Sequence, residues 1–148
     1  GRKPNIITSL ELRSEEMEVI NLRIQKKYKE IEEKEVRFEE YLLEDAEYAI
    51  VAFGSAARIA KKSIEIARSQ GIKVGLLRPI TLWPFPTKEV QKLAGKVKGI
   101  LSLEINAGQM VEDIRLAVEG KVPVQHFGRL GGIIPDPDEV VDAIKRLF

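Results

Sequence analysis

A continuous apolar run, Tyr48-Ala49-Ile50-Val51-Ala52-Phe53, stops at Gly54-Ser55 and is followed at once by a segment of helical periodicity. A strand that is apolar at every position is typical of one buried on both faces of a sheet. The helical segment ends at Gly71, a residue common at helix C-termini. Its apolar face is small and consists of Ala57, Ala60, Ile64 and Ala67. This stretch predicts one strand and one helix of an α/β sheet.

The same alternation continues to the end of the chain. Further strands are predicted at residues 73–77, 99–104 and 122–127, and the last belongs at a sheet edge because it contains a proline. Thr87 is the predicted cap of one helix, and Val111, Ile114 and Val118 mark the next. Asp136-Pro137-Asp138-Glu139 is a strong helix start, with a cap, a proline and a glutamate in the preferred order. Connections this short predict a mostly parallel sheet with helices on both faces.

Residues 1–47 differ in character from the rest. Ten of the 11 glycines and six of the 7 prolines lie after residue 48. Ser14 is a predicted helix cap, with Glu15 and Glu16 favourably placed in the first turn. One narrow apolar stripe follows, made of Met17, Ile20, Ile24, Tyr28 and Ile31. We predict an arm and linker helix over residues 1–35 and an α/β domain over residues 36–148.

The narrow stripe must pack against something, and two interpretations remain open. It covers the α/β domain of the same chain, or it contacts a missing domain or another subunit. Weak ion pairs are predicted on the wet faces of the helix, at Lys26–Glu30, Lys29–Glu33 and Glu30–Lys34.

Composition excludes many kinds of chemistry. The 148 residues include no cysteine, so disulfides, iron–sulfur clusters and thiol nucleophiles are ruled out within this chain. His126 is the sole histidine, which leaves little room for a Ser–His triad or a histidine metal site. A net charge of +1 gives no case for nucleic-acid binding. No apolar run approaches the roughly 20 residues of a membrane span, and no signal peptide opens the chain. We expect a soluble, cytoplasmic protein with no membrane partner and no metal.

Four segments follow the predicted strands, where ligands bind in open α/β sheets. The first contains Gly54, Ser55 and Arg58, which form a candidate phosphate site at a helix N-terminus. The plainer interpretation is that Gly54 makes the turn and Ser55 caps the helix, since no G-x-G-x-x-G or G-K-[ST] motif is present.

The second segment, residues 78–86, holds three prolines and the single tryptophan. Trp83 and Phe85 are rigid aromatics that suit a protein contact, because such side chains lose little entropy on docking. The alternative is that they cover the end of the sheet. The candidate interface residues of this segment are Arg78, Pro79, Trp83, Pro84 and Phe85.

The third and fourth segments carry polar residues and glycines. Glu104 follows an apolar strand, so its carboxylate needs a partner, for which Arg78 is the candidate. A structural ion pair is favoured over a general acid or base, and Glu104 is also a candidate ligand-binding residue. Asn106 and Gln109 lie beside it and, with Gly131 and Gly132 of the next segment, are further candidate interface residues. His126 is interpreted as a satisfied surface histidine. A loop containing Gly128, Gly131 and Gly132 follows, suited to positive φ and to close backbone approach or to a simple turn.

Taken together, the motifs resemble the C-terminal domain of the α subunit of 2-oxoacid:ferredoxin oxidoreductases, a transketolase C-terminal-like domain. The similarity covers residues 36–148, and the wording is closest to 2-oxoisovalerate and 2-oxoglutarate members. Four motifs carry it in order: Phe53-Gly54-Ser55-Ala56-Ala57-Arg58, residues 71–86, Glu104-Ile105-Asn106-Ala107-Gly108-Gln109-Met110, and Gly128-Arg129-Leu130-Gly131-Gly132.

The resemblance implies a three-layer α/β/α fold whose mostly parallel, five-stranded sheet has one antiparallel strand, at residues 36–41. It also implies a multi-subunit enzyme that converts a 2-oxoacid, coenzyme A and oxidised ferredoxin to acyl-CoA, CO2 and reduced ferredoxin. Thiamine diphosphate, Mg and iron–sulfur clusters belong to that whole complex. The implied partners are other domains of the α subunit, the thiamine-diphosphate-binding β subunit, γ and ferredoxin-like subunits, and ferredoxin.

In that family the pyrimidine-activating glutamate belongs to a preceding domain, and the Gly-Asp-Gly motif belongs to a partner subunit. Neither is present here. We therefore expect this chain to bind no cofactor itself, to contain no catalytic residue and to serve assembly. A chain that opens at Gly1 without methionine is expected to be a piece of a longer protein. The alternative is a free-standing module that binds a phosphate- or carboxylate-bearing molecule through Ser55, Arg58 and Arg78.

Overall fold

The computed structural model describes residues 1–6 and 10–147, which divide into two compact units, Gly1–Lys34 and Glu35–Phe148. The first unit contains the helix α1, Ser14–Lys34. The second contains, in chain order, β1 (Phe38–Tyr41), β2 (Tyr48–Ala52), α2 (Gly54–Ser69), β3 (Val74–Pro79), α3 (Thr87–Ala94), β4 (Gly99–Glu104), α4 (Met110–Val118), β5 (Val124–Gly128) and α5 (Pro137–Lys145).

In the first unit, α1 begins at Ser14 itself and buries none of its 21 residues. The stripe residues Met17, Ile20, Ile24 and Ile31 are half-buried, and Tyr28 is exposed. The three ion pairs predicted along the helix are absent from the described residues, where Arg13 pairs with Glu16 instead. Exposed lysines and glutamates gain little from pairing in water, so their side chains adopt other rotamers.

The second unit is built on one five-stranded sheet in the order β1-β3-β2-β4-β5. The strand β1 runs antiparallel to β3, with Phe38 opposite Pro79. The pairs β2–β3, β2–β4 and β4–β5 are all parallel. The prediction of a mostly parallel sheet with one antiparallel strand is confirmed. The strand predicted at 122–127 forms at the sheet edge as β5, with Pro123 just before its first residue.

Helices cover both faces of this sheet. Ile50 and Ala52 of β2 point into a core cluster that contains residues of α2 and α5. Ala49 and Val51 of the same strand point into a second cluster, shared with α3 and α4. Because side chains alternate along a strand, β2 supplies both cores, which explains why it is apolar throughout. The three-layer α/β/α fold is thereby confirmed.

Three predicted helix caps, at Ser14, Ser55 and Thr87, are wrong because each residue already lies inside its helix, and one is confirmed. Gly54, with a φ of 54°, turns the chain directly from β2 into α2, so Ser55 already lies in the helix, and no side chain caps it. Similarly, α3 begins at Thr87 and takes Pro86 as its N-cap residue. Asp136 does cap α5, in a reciprocal capping box with Glu139.

Candidate functional site

The carboxyl ends of β2, β3, β4 and β5 meet at one edge of the sheet, because these strands are parallel. The candidate residues predicted from sequence lie at this edge: in the last residues of β3 and β4, in the connections that follow the strands, and at the start of α2. Glu104 is the polar group buried most deeply at this edge. Its side chain is fully buried, and it lies at the last position of β4.

The Glu104 carboxylate accepts four hydrogen bonds from its own chain. The backbone N–H groups of Gln109 and Met110 donate to Oε2 at 3.1 and 2.9 Å. The N–H of Val111 and the hydroxyl of Ser102 donate to Oε1 at 3.0 and 2.8 Å. A strand residue therefore caps the N-terminus of α4, a position that favours negative charge.

Burial by itself raises the pKa of Glu104, but the hydrogen bonds from Met110, Gln109, Ser102 and Val111 outweigh that effect. Together they hold the pKa of this carboxyl below its ordinary value. The group is therefore a fixed anion at neutral pH, with its lone pairs already occupied. This arrangement suits a structural cap. It suits neither a general acid nor the ligand-binding role predicted for Glu104 from the sequence.

The predicted ion pair between Arg78 and Glu104 is not formed. Arg78 lies on β3 and Glu104 on β4, and β2 separates these two strands. The Arg78 guanidinium instead donates to Glu39 of β1 at 3.0 Å. Lys61 donates to the same carboxylate at 2.5 Å, and these two cations lower the pKa of Glu39. Sequence reasoning overlooked Glu39 because it lies in a short edge strand.

The loop between β4 and α4 is held against β5. The Oδ1 atom of Asn106 accepts the N–H of Gly108 at 2.7 Å, which closes a tight turn. A side chain at Gly128 would collide with the backbone oxygen of Asn106 and with the His126 ring. Close backbone approach at Gly128 was thus correctly anticipated. The positive φ angles belong to Gly131 and Gly132, at 65° and 81°.

The interpretation of His126 as a satisfied surface residue is wrong. Its side chain is 22% exposed, and Nε2 lies 3.9 Å from Oε1 of Glu104. In the part of the chain that the structure describes, this buried nitrogen has no hydrogen-bond partner. The close packing of Gly108 and Gly128 against the ring accounts for this position.

The connection between β3 and α3 divides the predicted interface residues into two groups. Trp83 is 56% exposed, whereas Pro79 and Pro84 are buried and unavailable to a partner. Phe85 is half-buried and packs against the second core cluster. Pro79 and Pro84 are buried because this stretch of the chain covers the end of the sheet. Thr81 stiffens the loop by donating to the Pro84 carbonyl at 2.9 Å.

Sequence reasoning missed further exposed apolar residues at the same edge. Ile80 and Leu82 precede Trp83 in its loop, and three others lie in the glycine-containing connection between β5 and α5: Leu130, Ile133 and Ile134. Gly131 and Gly132 lie exposed among them, and Gln109 is exposed while Asn106 is half-buried. The sequence signal for the residues between β5 and α5 is their position beside turn-forming glycines, in a connection where no helix or strand buries an apolar side chain.

The candidate phosphate site is open to solvent. Gly54, Ser55 and Arg58 are exposed, and within the described ranges Arg58 makes no ion pair. The first turn of α2 contains no acidic residue. Arg78, however, is engaged by Glu39. Throughout residues 1–6 and 10–147, no three His, Cys, Asp or Glu side chains cluster as metal ligands would. No helix in those ranges combines the length and hydropathy that crossing a membrane requires.

Comparison with known proteins identifies the class of protein to which this chain belongs. Residues 46–140 match the family model of the pyruvate:ferredoxin oxidoreductase core domain II. The structure of 2-oxoglutarate:ferredoxin oxidoreductase from Magnetococcus marinus superposes on 93% of this chain and 24% of its own, with a TM-score of 0.78 and 21% identity. A split-gene transketolase superposes on 75% of this chain and 41% of its own, with a TM-score of 0.64 and 17% identity. This chain belongs to the pyruvate:ferredoxin oxidoreductase core domain II family, as the resemblance implied.

Individual relatives show which members of this family the chain is similar to. Ketoisovalerate oxidoreductase subunit VorB of Methanothermobacter thermautotrophicus is 45% identical over 143 residues, which are 97% of this chain. 2-Oxoglutarate synthase subunit KorA of Methanothermobacter marburgensis is 30% identical over 104 residues, 70% of this chain and 28% of the relative. The chain spans about 40% of the length of the VorB relative.

Proposed function

We propose that this chain is a non-catalytic assembly domain in the α subunit of a thiamine-diphosphate-dependent 2-oxoacid:ferredoxin oxidoreductase. The assigned substrate class is branched-chain 2-oxoacids, of which 2-oxoisovalerate is one. The observation that carries this choice is the 45% identity to VorB over nearly the whole chain, against 30% to KorA over a shorter segment. The complete enzyme is proposed to be cytoplasmic and to reduce ferredoxin.

The site geometry supports an assembly role in preference to catalysis. The fully buried carboxylate, Glu104, is committed to the first turn of α4. The sequence offers no cysteine for an iron–sulfur cluster and no Gly-Asp-Gly motif for a diphosphate and its metal. The residues of this chain therefore do not fit the cofactors of the complex, and we assign those cofactors to other domains and subunits.

Substrate choice is tested on the assembled complex. We expect the purified α and β subunits, with their electron-transfer subunits, to reduce ferredoxin with 2-oxoisovalerate and coenzyme A. The expected kcat/KM is at least about tenfold higher than with 2-oxoglutarate, because a pocket that accepts a branched alkyl side chain would leave the second carboxylate of 2-oxoglutarate buried and unpaired. Equal or better use of 2-oxoglutarate would contradict the branched-chain assignment, and no ferredoxin reduction with any 2-oxoacid would contradict the family role.

The exposed apolar residues at the carboxyl edge are proposed as the docking surface for the rest of the complex. Leu82 and Trp83 are 46% and 56% exposed on a loop stiffened by Thr81. Buried aromatic anchors commonly dominate an interface, so removal of this pair is expected to reduce recovery of the complex by about tenfold or more. The experiment is affinity capture of the full-length α subunit, carrying Leu82→Ala and Trp83→Ala, co-expressed with its β subunit.

Leu116→Ala provides the matched control, because Leu116 is an exposed leucine on α4, at 77% exposure. We expect this variant to capture the β subunit as the unmodified α subunit does. The thermal midpoints of all the α-subunit variants are measured in parallel, to separate docking from folding. Undiminished capture with the Leu82→Ala, Trp83→Ala variant would exclude this loop as a docking surface.

A further inference from the structure

A second face of α1 is apolar at its centre and open to solvent. Val19 and Leu22 are 68% and 63% exposed. They lie about 180° around the helix axis from the stripe that contains Ile24 and Ile31. Isolated exposed apolar residues are ordinary, but two at consecutive positions of one helical face form a patch.

Charged residues extend this face in both directions. Glu15, Val19, Leu22 and Lys26 follow one another at spacings of 4, 3 and 4 residues, the heptad pattern of a helix-packing seam. Among the described residues, neither Glu15 nor Lys26 takes part in an ion pair or a side-chain hydrogen bond. The seam is therefore acidic near the start of α1, apolar in its middle and basic beyond.

We infer that this seam binds the same seam of a second copy of the chain, with the two α1 helices antiparallel. With the two-fold axis between Ile20 and Asn21, Val19 packs on the partner's Leu22. Glu15 then faces the partner's Lys26, and each contact occurs twice, as two-fold symmetry requires. Parallel helices would oppose Glu15 to the partner's Glu15 and Lys26 to the partner's Lys26, and like charges would disfavour them.

Self-complementarity of charge is the reason for choosing a second copy as the occupant. A seam of two apolar and two oppositely charged positions is small, and exposed ion pairs contribute little in water. Interfaces below about 1,200 Å² belong to weak, transient associations. The association is therefore concentration-dependent and weakens with salt. It rests on α1 alone and does not depend on the proposed function.

The test is sedimentation of the 148-residue chain at concentrations up to about 1 mM and low salt. We expect the weight-average mass to rise from 16.7 kDa towards twice that value. Glu15→Lys and Lys26→Glu each oppose like charges, so each variant alone is expected to remain at the monomer mass. An equimolar mixture of the two variants restores both ion pairs between unlike chains, and it is expected to associate again.

Matched controls carry the same charge changes off the seam. Glu32→Lys and Lys27→Glu lie about 100° or more around α1 from its centre, and they are expected to associate like the unmodified chain. Far-ultraviolet circular dichroism verifies that every variant keeps its helix content. The inference is overturned if the unmodified chain stays monomeric at the highest concentration. It is equally overturned if either seam variant associates normally, or if their mixture stays monomeric.

Discussion

Replacement of Glu104 by glutamine is expected to lower the free energy of unfolding of the α/β unit by about 3 kcal/mol. The glutamine amide turns an NH2 group towards backbone N–H groups that previously found a carboxylate oxygen, so donors face donors. The N–H groups of Gln109, Met110 and Val111 are left with one acceptor oxygen instead of two. Urea-induced unfolding followed by circular dichroism measures the loss.

The same variant changes how stability depends on pH. Because the folded-state pKa of Glu104 lies below its ordinary value of 4.5, the carboxylate contributes its full stabilisation above that value. The contribution is lost as the pH falls through the folded-state pKa. The difference in stability between unmodified protein and Glu104→Gln should therefore shrink below pH 4.5. Glu112→Gln, at an exposed position in the first turn of α4, is the control. A pH-independent difference, or an equal loss in the control, would contradict the capping role.

Among truncations of apolar side chains, the largest loss of stability is expected at the centre of the sheet. Ile50 is fully buried in β2, with β3 and β4 on either side. Ile50→Ala removes three carbon atoms from a close-packed core and leaves a cavity, for an expected loss of about 4 kcal/mol. Thermal unfolding measures it as a lower midpoint.

Ile80→Ala is the matched control, since Ile80 is 55% exposed at the carboxyl edge. The same chemical change there is expected to alter the unfolding free energy by less than about 0.5 kcal/mol. Similar losses at Ile50 and Ile80 would mean that the core does not lie where the structure places it.

Periodicity predicted most of the fold because its elements are locally unambiguous. The run 48–53 had no polar position, so only a strand buried on both faces suited it, and β2 lies at the centre of the sheet. Asp136 was correctly predicted as a cap because the capping box is local in sequence. Helix starts that depend on a left-handed glycine, as at Gly54, carry no comparable local signal.

The site was harder to predict because its partners are distant in sequence. Composition indicated that Glu104 needs a partner, but the choice between Arg78 and backbone N–H groups depends on strand order, which periodicity does not give. The environment of His126 depends on two glycines from different segments, Gly108 and Gly128. The division of residues 79–85 into buried prolines and an exposed tryptophan likewise required the packed sheet end.

The cap that Glu104 supplies to α4 also limits how far the length of the connection between β4 and α4 can change. One side chain of β4 reaches the first turn of α4, so the five-residue connection 105–109 has little freedom to lengthen or shorten. An insertion there would move the first turn of α4 away from the Glu104 carboxylate. The connection after β3 has no such tie, because α3 takes no side-chain cap from its strand. We therefore expect an insertion or deletion in the loop that presents Trp83 to destabilise the domain less than one in the connection after β4.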